Sequence, residues 1–140
     1  MVYVNPQDLA DRYIAQWTEP DAARRRAAIE GLWAPDGRHV LQPPVEIRAA
    51  AAAVGFDHST LEARGYDAIE VRVARSYERF VAKEGFTFRS RADAVRLNEV
   101  VKFGWETVSV ETGEVAGGGL EVLVLDDDDR ITADYMFPGA

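Results

Sequence analysis

Ala116–Leu125 reads AGGGLEVLVL, an apolar run with one carboxylate, Glu121, at its middle, and the turn sequence DDDDR, Asp126–Arg130, follows at once. A strand sends alternate side chains to opposite faces. Glu121, Leu123 and Leu125 therefore share one face, and Leu120, Val122 and Val124 the other. Both faces are apolar, so Glu121 meets an apolar setting whichever way the strand is turned. The plainer alternative is a carboxylate at a sheet edge or paired with an arginine. Gly117-Gly118-Gly119 is not a phosphate loop, because no Lys-Ser/Thr follows and it opens a strand rather than a helix. Glycine inside a strand marks a bulge or a close approach of backbone, and here it lets the sheet curve.

Outward from this stretch, the alternating period begins at Phe86. It predicts strands over 86–97, 99–111, 115–125 and 130–137, broken at Leu97-Asn98-Glu99, at Glu111-Thr112-Gly113-Glu114 and at the aspartate run. Connections this short join adjacent antiparallel strands. In the second strand Val101, Phe103, Trp105 and Thr107 form the core face, with Lys102, Glu106 and Val108 opposite.

The chain before Phe86 is mostly helical. Asn5-Pro6-Gln7-Asp8 signals a helix start, with Asn5 as cap, Pro6 at the first position and Asp8 in the first turn. Leu9, Tyr13 and Trp17 then recur at helical spacing. Thr18-Glu19-Pro20-Asp21 starts a second helix, whose buried side is Ala22, Ile29, Leu32 and Trp33 and whose Arg24, Arg25 and Arg26 form a solvated face. Ala34-Pro35-Asp36-Gly37 ends it in a turn. Arg38–Gln42 reads as a short strand stopped by Pro43-Pro44. Val45–Val54 reads as a short Ala-rich helix and Gly55–Gly65 as irregular. Asp67 caps a third helix with Ile69, Val73, Tyr77 and Phe80 inward, closed by Gly85. Helices first and an antiparallel meander after them mean α+β, with the helices on one side of a curved sheet. Nothing in the 140 residues suggests a second domain, so residues 1–140 are expected to form one.

Hydrophobic residues make up 47% and charged residues 29%, the balance of a globular domain. A net charge of -8 argues against nucleic acid or an anionic membrane as partner, since both need a basic footprint. The lack of cysteine excludes disulfides, thiolate metal sites and a cysteine nucleophile. No leader-like segment opens the chain and no apolar run approaches the roughly 20 residues of a membrane span, so a cytoplasmic location is expected.

His39 and His58 fit no metal motif, and neither a metal nor another cofactor is expected. Asp126–Asp129 lacks the spaced ligands and closing glutamate of a calcium loop and reads as a solvated hairpin turn. No serine stands in a GxSxG context, which leaves a hydrolase triad without support. Trp17, Trp33 and Trp105 suit a core first, and an apolar pocket second.

Three segments carry a resemblance: RGYDAIEVRVARSYERF (Arg64–Phe80), VVKFGWE (Val100–Glu106) and GLEVLVLDDDDRI (Gly119–Ile131). Over nearly its whole length the chain resembles the SnoaL-like branch of the nuclear-transport-factor-2-like superfamily, which includes polyketide cyclases. The resemblance implies a cone with three main helices packed on a curved, mostly antiparallel sheet that encloses a pocket. It also implies a homodimer formed through the uncovered sheet face, to which Val108, Val110, Val122 and Val124 would contribute. Steroid delta-isomerases are similar in a further way. They carry a tyrosine on the first helix in an RY-apolar-Ala context, matched by Arg12-Tyr13-Ile14-Ala15, and an acid five residues before the last hairpin's Asp/Asn, matched by Glu121 before Asp126. In that family the two form an oxyanion hole, the acid kept neutral by its apolar site. The isomerase base is an aspartate just before a proline on the first strand, whereas here Gln42 precedes Pro43. An amide cannot take a proton at neutral pH, so His39 and Asp134 are the substitutes for the base.

On this resemblance Tyr13, Glu121 and His39 are the candidate catalytic residues. Trp17, Gln42, Asn98 and Trp105 are the candidate binding residues around a small apolar organic ligand. Arg89 or Arg91, if turned inward, would hold Glu121 ionised. The functional expectations are a cyclase, isomerase or dehydratase of an apolar carbonyl compound, or a non-catalytic ligand-binding or dimerisation module of the same fold.

Overall fold

The computed structural model describes residues 3–43, 45, 49, 53 and 61–139. The Ala-rich helix expected over 45–54 falls largely outside these, with Val45, Ala49 and Ala53 described and helical. The stretch expected to be irregular from residue 55 falls outside them as far as residue 60, His58 included.

Helix α1 spans Pro6–Thr18 and begins where its cap dictates. Asn5 Oδ1 accepts from the backbone N–H groups of Gln7 and Asp8, two of the donors that a helix start leaves unpaired. Helix α2, Ala22–Leu32, is capped by Asp21, which accepts from the Ala23 N–H. Arg25 corrects the expectation of a solvated arginine face. It is buried, donates to the carbonyls of Glu19 and Pro20 and lies 4.8 Å from the centre of the Tyr77 ring. The free carbonyls beyond the end of α1 draw it in. Ala22, expected inside, is exposed.

No turn separates α2 from the first strand. β1 runs from Trp33 to Leu41, with a register shift between Trp33 and Arg38 where the Pro-Asp-Gly sequence lies. A Cβ on Gly37 would fall 2.7 Å from the Ile131 carbonyl, so only glycine lets the shifted strand lie this close to its neighbour. β2, Leu61–Arg64, stands where irregular chain was expected and pairs antiparallel with β1. Helix α3, Tyr66–Ser76, starts after Gly65 in a left-handed conformation (φ 87°), and Asp67 lies in its first turn rather than capping it. It continues as a π-helix over Tyr77–Lys83. That widening leaves Tyr77 and Phe80 half-buried, while Ile69 and Val73 enter the core.

The single strand expected over 86–97 is two, β3 (Phe86–Ser90) and β4 (Val95–Leu97), both paired with β5 (Val100–Ser109). β6 (Val115–Leu125) and β7 (Ile131–Pro138) complete the meander. The sheet order is β2-β1-β7-β6-β5-β3. Every pairing is antiparallel except β1 with β7, which is parallel. The sheet is mixed and unclosed, with the helices packed on it as an α+β cone. Tyr13, Ile29, Trp33, Ile69 and Val73 meet Val101, Phe103, Leu123 and Ile131 in the core. Val108, which follows a register shift after Thr107, is buried, and Val110 is exposed. No helix among the described residues is long and apolar enough to cross a membrane.

Candidate acid–base site

Four strands and two helices bring the site together. Glu121 stands on β6 opposite Met136 of β7, and Asp134 is two residues from Met136, so the two carboxyls are diagonal neighbours on one sheet face. Asp134 is in turn the register partner of His39 across the parallel β1–β7 pair. Tyr13 and Trp17 descend from α1, Trp105 comes from β5 and Arg72 from α3. Glu121, Asp134 and His39 are all at most 1% exposed.

The hydrogen bonds assign the protons. Trp105 Nε1 donates to Glu121 Oε1 at 3.0 Å. The Tyr13 hydroxyl contacts both Glu121 Oε2, at 3.1 Å, and Asp134 Oδ2, in the shorter of the two bonds. A phenol has one proton to give, so it donates to one carboxyl and the other must supply a proton of its own. Burial is the main force holding Glu121 well above the ordinary glutamate range, with the neighbouring Asp134 charge adding to it. Glu121 is therefore the protonated member. The Tyr13 hydroxyl is shared between the two carboxyls, a direct hydrogen bond between Glu121 and Asp134 helps hold the Glu121 proton, and Trp105 holds Glu121 Oε1. Tyr13 stays a phenol, since burial and then the Asp134 charge push its pKa well up.

His39 is assigned by the same reasoning. Arg72 Nη1 lies 2.9 Å from His39 Nδ1 and 3.2 Å from the His39 carbonyl. A guanidinium only donates, so Nδ1 accepts and the ring proton sits on Nε2, 3.6 Å from Asp134 Oδ2. Burial, followed by the Arg72 charge, lowers the His39 pKa against the opposing pull of Asp134, which keeps the ring neutral. The lone pair of the ring is thus directed at Arg72 and its N–H toward Asp134. His39 Nε2, Trp17 Nε1 and Asp134 Oδ1 are buried without a hydrogen-bond partner among the described residues.

One ligand atom each from His39, Glu121 and Asp134 lies within 4.8 Å of the others, a spacing that suits a metal ion. The histidine argues against that use. Metal on Nε2 would move the ring proton to Nδ1, where a carboxylate or carbonyl normally receives it and where Arg72 instead directs its own N–H. The donor set fits proton sharing better than a cation.

The cluster borders a cavity of about 440 Å³. Ile14, Leu41, Phe80, Phe86, Phe88 and Met136 supply apolar wall, and Tyr13, Trp17, His39, Arg72, Trp105 and Glu121 line the cavity too. Of the residues expected at the site, Tyr13, Trp17, His39, Trp105 and Glu121 meet here. Gln42 and Asn98 are not among the lining residues. Gln42 follows β1, half-buried, with its N–H on the Met136 carbonyl. Asn98 is exposed, at positive φ (51°), in the β4–β5 turn. Arg89 and Arg91 pair with Glu106 and do not reach Glu121. The aspartate run is a self-capped turn: Asp126 Oδ1 accepts from the N–H groups of Asp128 and Arg130, and Asp129 holds Arg96 through two nitrogens.

Sequence reasoning passed over Arg72. The available signal is its position three residues after Ile69 and one before Val73, which places it beside the inward stripe of α3.

Comparison with known proteins supports the fold. No family model matches the chain, and no curated protein is similar to it. A SnoaL-like family protein from Agrobacterium tumefaciens, provisionally named an isomerase, is similar with a TM-score of 0.76 at 22% identity, over 96% of this chain and 97% of its own. A SnoaL-like protein of unknown function from Burkholderia thailandensis matches with a TM-score of 0.56 at 16% identity, over 99% and 100%. An NTF2-like protein of unknown function from Exiguobacterium matches with a TM-score of 0.59 at 16% identity, over 96% and 98%. The chain has the fold of SnoaL-like and NTF2-like proteins.

Proposed function

We propose that the protein is an acid–base enzyme for an apolar carbonyl compound, moving a proton to and from carbon next to the carbonyl, as an isomerase or a cyclase does. The observation that carries this is the Glu121–Tyr13–Asp134 hydrogen-bonded line, ending in a largely apolar cavity. Glu121 reaches the cavity and Asp134 lies behind it. If Tyr13 passes its proton to Asp134 and takes the one on Glu121, then Glu121 becomes a carboxylate facing the ligand and can accept a proton from carbon. Reversal of the shift makes it an acid again. One carboxyl can thus take a proton and return it elsewhere, which a keto–enol rearrangement requires. His39 and Trp17 also line the cavity, each with a buried N–H that lacks a hydrogen-bond partner among the described residues. This arrangement differs from the one that the isomerase resemblance implies, in which the tyrosine and the acid both donate to the ligand.

The test is hydrogen–deuterium exchange of a neutral enolisable ketone, 2-tetralone, followed by proton NMR in D₂O. The protein should accelerate exchange at the carbon next to the carbonyl, and Glu121→Gln should slow it by about 100-fold or more, the usual worth of a positioned acid or base. Exchange unaffected by Glu121→Gln overturns the proposal. Binding of 2-tetralone without any accelerated exchange favours the non-catalytic ligand-binding reading instead.

A further inference from the structure

Arg72 sets the charge of the cavity, and its bonding is unbalanced. All of its hydrogen bonds run through Nη1, to His39 Nδ1, the His39 carbonyl and the Leu61 carbonyl. Among the described residues Nε and Nη2 make none, and no carboxylate lies within ion-pair distance of the guanidinium. Elsewhere the arginines that approach the core are matched. Arg25 spreads Nε and Nη2 over the Glu19 and Pro20 carbonyls, and Arg96 holds Asp129 through two nitrogens. A half-buried guanidinium facing an apolar cavity, with half of its fork unused, is costly unless an anion completes it. The other ionisable groups that line the cavity do not oppose an anion. Glu121 carries its proton, Tyr13 is a phenol and His39 is neutral with its N–H on the side of Asp134. Arg72 thus brings a cation to the cavity wall in a chain of net charge -8, with the Asp134 charge acting on it from behind the wall.

We infer that the ligand is an organic anion, an apolar ring or chain bearing a carboxylate or an acidic enol, whose oxygens pair with Nε and Nη2 of Arg72. This rests on the reading of the cavity as the ligand site and names its substrate class. The guanidinium fork presents two parallel donors that fit a carboxylate and that a neutral amide or ester cannot use as well. Arg72 also fixes the ring proton of His39 toward Asp134, so one side chain would orient a donor of the site and select the charge of what enters it.

The experiment compares two probes of equal shape, 2-naphthoate and 2-naphthamide, titrated at neutral pH against the whole chain by tryptophan fluorescence and calorimetry. The carboxylate should bind about tenfold or more tightly than the amide, as expected for one charge-assisted pair. Arg72→Met should reduce that ratio to near one, and Arg72→Lys, which keeps the charge without the fork, should retain part of it. The ratio is read within each variant, so a change in overall affinity or stability does not imitate the effect. Equal binding of the two probes by the unmodified protein overturns the inference, as does a ratio unchanged in Arg72→Met. Its failure is separable from failure of the proposed function, because exchange of the neutral 2-tetralone reports on Glu121 and needs no anion.

Discussion

Tyr13 and Glu121, 108 residues apart in the chain, meet with the phenol oxygen 3.1 Å from Glu121 Oε2. Asp134 Oδ2 contacts the same phenol oxygen, so one hydroxyl joins both carboxyls. Tyr13→Phe removes the shared oxygen and leaves two carboxyl oxygens buried without their partner. The variant should lose about 1–3 kcal/mol of stability, the cost of an unsatisfied buried polar group. Proton exchange on 2-tetralone should fall by about 100-fold with it. Denaturant titration and the NMR exchange assay measure the two effects separately. Unchanged stability would show that the three side chains are not coupled.

The raised pKa of Glu121 has a sign in stability. The unfolded chain ionises near the ordinary value of 4.5, and the folded chain holds the proton to higher pH. Between those two values the folded state carries the extra proton, so stability is complete below 4.5 and is lost as pH rises through the folded value. The slope is about 1.4 kcal/mol per pH unit while the window lasts. Glu121→Gln should flatten it, since the amide keeps a donor for Tyr13 and an acceptor for Trp105. Urea unfolding of both proteins at a series of pH values checks this, and parallel pH profiles would refute it.

His39 behaves in the opposite sense. Its folded pKa is lowered from 6.5, so the unfolded chain takes up a proton first as the solution is acidified. Stability from this residue is present above 6.5 and declines as pH falls toward the lowered folded value. Nitrogen NMR should find His39 neutral at pH 6.5 with the proton on Nε2. Arg72→Met should release the ring into a mixture of tautomers. A proton on Nδ1 in the unmodified protein would contradict the arrangement.

Gly119 makes room for the tryptophan that holds Glu121. A Cβ there would fall 2.4 Å from the Trp105 indole and 2.9 Å from the Phe137 carbonyl. Gly119→Ala should displace the indole from Glu121, destabilise the fold by about 1–3 kcal/mol through overpacking, and shift the tryptophan emission to longer wavelength. Thermal unfolding and fluorescence spectra test it. Wild-type emission in the variant would mean that the indole had not moved.

The parts of this protein that rest on local periodicity were legible in the chain itself. Alternation across AGGGLEVLVL puts Glu121 on a core face, and β6 places it there. Helical spacing from the Asn5 cap turns Tyr13 and Trp17 inward. The change of period at Phe86 separates helices from meander, and the triple glycine signals the close approach that Trp105 makes. These features follow from steric and hydrogen-bonding rules that act over a few residues. The identity of the proton partners does not. Asp134 meets His39 through the parallel pairing of β1 with β7, and it meets Glu121 through the register of β6 on β7. Arg72 acquires its role because α3 crosses β1 at His39. Arg25 is drawn inside by carbonyls that belong to another helix, and Asn98 is turned out by a tight connection where a pocket residue was expected. A register between segments a hundred residues apart leaves no mark on the period of either one. Only the tertiary structure decides which buried acid keeps its proton and which cation comes to the cavity wall.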